Sequence, residues 1–187
     1  MLQERLLKTL VELGATRENV RVADSLATAN VLIAREKFVL AFVDLSLPDG
    51  RGLGLIQRLR ECSRDSHILV GSAWSSAEVL FEALSAGASG YVLKERDDED
   101  LLFAMRCALR GGATIEPALA REILRQVSAA TDQSAQTLGA KQVSLLRLTS
   151  DGWTNREIAQ KLGLSRVAIE QEVRAIYQLL HARKCTA

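Results

Sequence analysis

The sequence has no run of about 18 apolar residues and no short basic start followed by an apolar stretch, so it predicts neither a membrane span nor a signal peptide. Cysteine is scarce. Cys62, Cys107 and Cys185 lie far apart, are odd in number and lack metal-ligand spacing, a pattern that fits reduced thiols in a cytoplasm rather than a disulfide framework. Internal repeats and low-complexity tracts are missing. Gly50-Arg51-Gly52-Leu53-Gly54 meets neither the dinucleotide nor the phosphate-loop pattern and is read as a glycine-rich entry to a helix. With no nucleophile–base pair, metal cluster or nucleotide loop in view, an enzyme ranks last among the functional readings.

What is present is an ordinary globular balance, 48% apolar and 25% charged residues in a chain of 187, enough for one large domain or two small ones. The net charge of +1 hides an asymmetry. Residues 1–137 carry 16 Lys+Arg against 19 Asp+Glu, a net of −3, whereas residues 138–187 carry 8 against 4, a net of +4. A basic C-terminal segment behind a mildly acidic body suggests a polyanion-binding module.

Leu2, Leu6, Leu7, Leu10 and Val11 recur at helical spacing and predict an opening helix that ends near Gly14. Val20-Arg21-Val22 is a short strand candidate, and Ser25 can cap a helix carrying Leu26, Ala29 and Leu32. Phe38 to Val43 is an apolar strand that ends at Asp44 and runs into the turn Pro48-Asp49-Gly50. A helix over 52–62, a strand over 67–70, a capping box at Ser75-Ser76-Ala77-Glu78, a strand over 91–93 ending at Lys94, and a helix opened by Asp97 or Asp98 follow. Short strands alternating with helices of this length imply a parallel sheet covered on both faces. Pro117 to Val127 extends the pattern by one helix, and the nearly uncharged stretch 128–137 reads as a linker. Beyond it the strands stop. Helices are predicted over 142–149, 155–162 and 165–180.

In a parallel sheet every strand delivers its C-terminus to one edge, so Asp44, Ser72 and Lys94 should meet there. A carboxylate, a hydroxyl and an ammonium suit the acceptance of a phosphoryl group: nucleophile, hydrogen-bond donor to the product, and counter-charge. Residues 1–127 resemble the receiver domain of bacterial two-component response regulators, through the stretch from Phe42 to Gly50, the strand ending at Ser72, and Ala86-Gly87-Ala88-Ser89-Gly90-Tyr91-Val92-Leu93-Lys94. The resemblance implies a flavodoxin-like α/β fold. It also implies that Asp44 corresponds to the phosphoacceptor, Ser72 to the switch hydroxyl, Tyr91 to the rotating aromatic and Lys94 to the phosphate-pairing lysine.

The departure from that family is at the start. Receivers open on a strand ending in an acidic pair that holds Mg²⁺, and this sequence opens on the helix that should follow it. Asp24 falls at the end of the second strand and cannot substitute, so the Mg²⁺ site is expected to be incomplete and no cofactor is assigned. Without that ion, the charge on a transferring phosphoryl group is poorly neutralised, and the expectation is a protein not efficiently phosphorylated. The omitted strand would lie mid-sheet and leave a slot about 9.6 Å wide. Closure of Val20–Val22 onto Phe38–Val43, giving four strands, is favoured because consecutive strands usually neighbour each other. Filling by another chain, or a true start upstream of Met1, are the alternatives.

In the C-terminal segment, residues 138–187, Thr154-Asn155-Arg156-Glu157 is a capping box, Gly163-Leu164 a turn and Ser165 a second cap. Ile169, Val173, Ile176 and Leu180 share one face of the last helix, which should present Arg166, Glu170, Gln171 and Arg174 outward. Two helices on so short a turn describe a helix-turn-helix. Trp153 is expected in the core. The segment resembles the LuxR-type DNA-binding domain, and with the receiver it makes a NarL/FixJ-type regulator. That resemblance implies double-stranded DNA as partner, contacts from Thr154, Asn155, Ser165, Arg166, Glu170, Gln171 and Arg174, and homodimerisation; a sensor kinase is left open. Where the family has Thr-Val-Lys-x-His this chain has Ala168-Ile169-Glu170-Gln171-Glu172, and Gly139-Ala140-Lys141-Gln142 replaces Thr-x-Arg-Glu. Lysine-to-glutamate exchange turns attraction to phosphate into repulsion, so non-specific affinity should be low. Gln171 can read adenine and Arg174 guanine. The leading expectation is a cytoplasmic DNA-binding transcription regulator working without ordinary aspartyl phosphorylation. The alternative is an interaction or antagonist module that keeps the fold but not the DNA binding.

Overall fold

A computed structural model describes residues 2–72, 76–95, 97–129 and 138–185. Its centre is a parallel sheet of three strands, β1 (Leu40–Asp44), β4 (His67–Ser72) and β5 (Gly90–Leu93), in the order β1-β4-β5. The registers pair Asp44 with Gly71 and Ser72 with Leu93. Strand β4 is central and buried on both faces: Ile68 and Val70 belong to one apolar cluster and Leu69 to the other, as expected of a fully covered parallel strand. Between β1 and β4 a two-residue hairpin of β2 (Ser46–Leu47) and β3 (Gly50–Arg51) occupies the predicted turn.

Helices α1 (Leu2–Glu12) and α5 (Asp98–Leu109) cover one face, where Leu6, Leu10 and Leu13 pack with Leu69, Val92, Leu101 and Met105. Arg5 fixes the pair by reaching Asp98 at 2.6 Å and the Lys94 carbonyl at 3.1 Å. The other face is built from α2 (Leu26–Arg35), α3 (Leu53–Cys62) and α4 (Ala77–Ser85). The Ser76 hydroxyl caps α4 by accepting from the Val79 amide, one residue beyond the predicted cap at Ser75, which lies outside the described residues. Helix α6 (Pro117–Ala129) follows, and the predicted linker falls mostly outside the described residues. Helices α7 (Ala140–Ser150), α8 (Asn155–Leu162) and α9 (Arg166–Cys185) complete the chain.

The favoured four-stranded closure does not form. Val20–Val22 is not a strand; Val22 is exposed, and Arg21 is held instead by the Glu18 carbonyl at 2.6 Å and the Glu36 carboxylate at 3.0 Å. The Val39 carbonyl and Leu45 amide bond to β4, so the alternation of a parallel ladder turns the backbone groups of Leu40, Phe42 and Asp44 the other way. Among the described residues no strand pairs on that side. The rule that neighbouring strands pair gave way to a short segment whose side chains are satisfied locally. Trp153 is a second correction. It is 38% exposed, with the Lys161 ammonium 4.1 Å above its ring. A cation–π contact at the surface replaces the expected core position.

The two helical regions and the sheet share one continuous core. Leu119 and Ile123 of α6 pack with Leu145 and Leu146 of α7, and α9 lies against α4, so the buried set runs unbroken from Ile56 to Ile176.

Candidate functional site

Strand geometry brings Asp44, Ser72 and Lys94 together at the carboxyl edge of the sheet. The Lys94 amide donates to the Ser72 carbonyl at 2.8 Å, and the Lys94 ammonium is ion-paired to Asp44 Oδ2. Asp44 Oδ1 accepts from the Ser46 amide at 2.9 Å. Both ionic side chains are roughly three-quarters buried, at 22% and 29% exposure, and Ser72 is fully buried. Tyr91, one strand over, is buried in the main core.

The loop that shapes this edge depends on two residues. A Cβ on Gly52 would come within 2.1 Å of the Asp44 carbonyl oxygen, so only glycine lets α3 start against the strand end. Asp49 ties the same loop to the start of α2, its two oxygens accepting from the Leu26 amide at 2.8 Å and the Ala27 amide at 3.1 Å. Those backbone bonds hold the Asp49 carboxyl below its usual range. Asp49 is therefore a helix-N-terminal anchor.

A receiver's resident divalent cation requires several carboxylate oxygens around the phosphoacceptor. Among the described residues no group of three or more His, Cys, Asp or Glu side chains comes together, and the charged partner of Asp44 is already a cation. Asp24 accepts at 3.4 Å from the Thr28 hydroxyl in the first turn of α2. The described residues around Asp44 do not supply the carboxylate set that a Mg²⁺ ion would need there.

The second candidate surface is α8–turn–α9. Thr154 accepts from the Glu157 amide while Glu157 accepts from the Thr154 amide at 2.8 Å, a reciprocal cap worth about 1 kcal/mol. Gly163 closes α8 in the left-handed region at φ 65°, and the Ser165 hydroxyl caps α9 by accepting from Ala168 at 3.1 Å. Thr154, Ser165 and Gln171 are exposed and Asn155 half-exposed.

Glu170 and Arg174 are not outward, and here the sequence expectation is corrected. Glu170 is 8% exposed; its carbonyl accepts from the Ala113 amide at 3.0 Å, and its side chain lies against Gly112 and Cys107. Arg174 Nη1 donates to His67 Nδ1 at 3.2 Å and rests against Gly111. Arg166 remains exposed, pairing with Glu170 at 3.3 Å and stacking 4.7 Å from the Phe103 ring centre. Tyr177 adds a buried bond to the Thr114 carbonyl at 2.6 Å. The part of the polar face of α9 that carries Glu170 and Arg174 is covered by the receiver-like half, while Arg166 and Gln171 stay exposed. A Cβ on Gly112 would sit 2.9 Å from Cys107 Sγ and 3.0 Å from Glu170 Cβ, so the glycine pair at 111–112 permits the approach.

Burial leaves its mark on the groups at this contact. Desolvation, with the adjacent Glu170 carboxylate, pushes the Cys107 thiol up to about 12. Desolvation followed by the Arg174 and Arg60 charges holds His67 below its usual value, with Asp65 opposing. The two departures from the family pattern in the helical half also meet: Gln142 Nε2 and Lys141 Nζ lie 3.5 and 3.9 Å from the Glu172 carboxylate. Glu172 thus joins α7 to α9, a role that the helical pattern of α9 alone does not reveal.

The response regulator receiver domain family matches residues 2–106, and the chain belongs to the response regulators. Within them it is of the NarL type. It is 32% identical over 149 residues to the oxygen regulatory protein NreC of Staphylococcus carnosus, covering 75% of this chain and 69% of that protein. It is also 32% identical over 138 residues to the nitrate/nitrite response regulator NarL of Escherichia coli K12, covering 72% of this chain and 64% of NarL. The RcsB response regulator of Salmonella typhimurium, described for its conformational dynamism in DNA interaction, superposes with a TM-score of 0.50 at 26% identity, over 95% of this chain and 86% of RcsB. A response regulator from Burkholderia pseudomallei shares the fold at 24% identity and a TM-score of 0.51, over 90% of each chain. No helix of the described residues is long and apolar enough to cross a membrane.

Proposed function

We propose that this chain is a cytoplasmic DNA-binding transcription regulator whose activity does not depend on ordinary phosphorylation of Asp44. The observation that carries the DNA-binding half is the capped α8, the Gly163 turn and the α9 that follows, because a short turn of this kind presents the second helix to a major groove. Arg166, Gln171 and Arg174 are the base- and phosphate-contacting candidates, with Thr154, Asn155 and Ser165 flanking them. The similarity to RcsB, described for its conformational dynamism in DNA interaction, supports the same reading. Nothing in the sites described calls for an enzymatic activity.

Independence from phosphorylation is supported by the Asp44 site itself, where among the described residues Lys94 is the ionic contact and the carboxylates for a divalent cation do not assemble. Phosphoryl transfer to a carboxylate without a metal leaves the developing charge to one ammonium. Control would rest on the contact between α9 and the receiver-like half. Glu170 and Arg174 cannot touch DNA while they face Ala113 and His67, so the two halves must separate for the helix to enter a groove. Homodimerisation on paired half-sites is carried over from the family as a further part of this proposal.

The covered face also favours a second reading, an interaction module whose α9 serves the internal contact and never reaches DNA. Selection from random duplexes with the full chain separates the two. A regulator yields an enriched sequence whose affinity falls with rising salt; an interaction module yields no enrichment.

A further inference from the structure

Where α9 crosses the receiver-like half there is a cleft of about 650 Å³ that neither the Asp44 site nor the DNA-facing residues account for. It is lined by Arg60 of α3 and Arg64 just after it, by the turn Ser85–Ser89, and by Arg174, Gln178 and His181 of α9. Three guanidinium groups face it against a single carboxylate, Glu61. Neither Arg60 nor Arg174 makes an ion pair among the described residues, and burial followed by the Arg174 charge disfavours the charge on Arg60, with Asp65 opposing. Three positive groups against the Glu61 carboxylate leave a net positive, half-buried cleft that an anion between them would stabilise.

The donors divide into two kinds. Arg60 spends its five N–H groups on the protein: Nε and Nη2 on the Gly87 carbonyl at 3.2 and 2.7 Å, Nη1 on the Arg64 and Ser66 carbonyls at 2.5 and 3.0 Å, and Nη2 also on Ser89 Oγ at 3.3 Å. It contributes fixed positive potential. Arg64 is exposed at the rim, and Arg174 has given only Nη1, to His67. His181 donates Nδ1 to the Ser85 carbonyl at 2.9 Å, which leaves Nε2 as the ring's remaining polar atom. Gly87, at φ 112°, has no Cβ to fill the floor; one there would lie 3.2 Å from the His181 ring and 3.3 Å from Arg60.

We propose that this cleft binds a small phosphate ester, its phosphate held by Arg174 and Arg64 over the fixed charge of Arg60, with His181 Nε2 accepting from a protonated phosphate oxygen. Planar guanidinium forks match phosphate oxygens in pairs. The volume falls in the ordinary range for small-molecule sites, about 300–1,000 Å³, which leaves room for an organic portion beyond a bare phosphate. Because the walls come from both halves of the protein, the bound ester stabilises the arrangement in which Arg174 faces inward. That regulatory consequence rests on the DNA-binding reading; the binding itself does not.

The test uses the full chain and inorganic pyrophosphate as probe, titrated calorimetrically at constant ionic strength. The expected result is saturable binding of one pyrophosphate per chain, weakened about tenfold in Arg64→Gln, which removes a charge-assisted contact, and by a smaller factor in His181→Gln. Arg64 is exposed and holds Arg60 only through its backbone carbonyl, so Arg64→Gln keeps the fold; an unchanged circular dichroism spectrum verifies this. Absence of saturable heat, or equal affinity in wild type and the double variant, overturns the site. A duplex titration with and without pyrophosphate reads the coupling: weaker DNA binding in wild type and not in the double variant supports it, and equal loss in both refutes it. Should the chain bind no duplex at all, the DNA-binding reading fails while the calorimetry still decides the cleft.

Discussion

The carboxyl edge of the sheet and the contact between α9 and the receiver-like half are two charged regions built in opposite ways. At the sheet edge the cation and the carboxylate neutralise each other within one domain, Lys94 on Asp44. At the α9 contact the charges are spread over elements distant in sequence, and Arg174 meets a neutral imidazole nitrogen rather than an anion. The first region is closed on itself. The second is held by groups that protonation, an anion or DNA could claim. A response regulator of this form is therefore expected to be sensitive at the interface and insensitive at its aspartate.

The largest effect should come from Gly112→Val. Its side chain would enter space occupied by Cys107 Sγ and Glu170 Cβ, and overpacking of this kind costs about 1–3 kcal/mol. Spent on the closed arrangement alone, that raises duplex affinity about 5- to 150-fold, measurable by fluorescence anisotropy. Loss of affinity would mean that the contact organises the DNA-binding surface instead of covering it. Arg174→Ala comes next. It removes the His67 contact and a base or phosphate contact together, and specificity at one position should relax by about 1–3 kcal/mol in a duplex selection.

A smaller effect follows from pH. His67 is held below its ordinary value of 6.5 in the closed arrangement, first by burial and then by Arg174 and Arg60, with Asp65 opposing. Above about 6.5 the imidazole is neutral in both arrangements and closure is undiminished. As pH falls below that value the released histidine takes a proton that the docked one resists, so closure weakens down to the depressed value. Duplex affinity at fixed ionic strength should rise on acidification, and His67→Gln, which still offers Arg174 an acceptor, should flatten the profile. The smallest effect is assigned to Asp44→Asn, which should leave duplex affinity unchanged; a clear loss would return control to the sheet edge.

The same contrast explains what could be read from the residues alone. Asp44, Ser72 and Lys94 were legible because each ends an apolar run, and a parallel sheet sends such ends to one edge whatever else surrounds it. The caps at Ser25, Asp97 and Thr154 were legible for the same local reason. Val20–Val22 was not, because its apolar alternation matches a strand while Arg21 finds its partners within the segment's own neighbourhood. Helical periodicity separated the polar face of α9 from its core face, yet it carries no information on which distant element covers that face. The Gly111-Gly112 pair was the available signal: two adjacent glycines at a helix end mark a place where another backbone or side chain can come close.

The most direct test of the account measures duplex affinity of the full chain before and after incubation with acetyl phosphate and Mg²⁺, with intact mass read on the same samples. The account predicts an unchanged mass and an unchanged affinity. A phosphate found on Asp44 together with tighter DNA binding would contradict it.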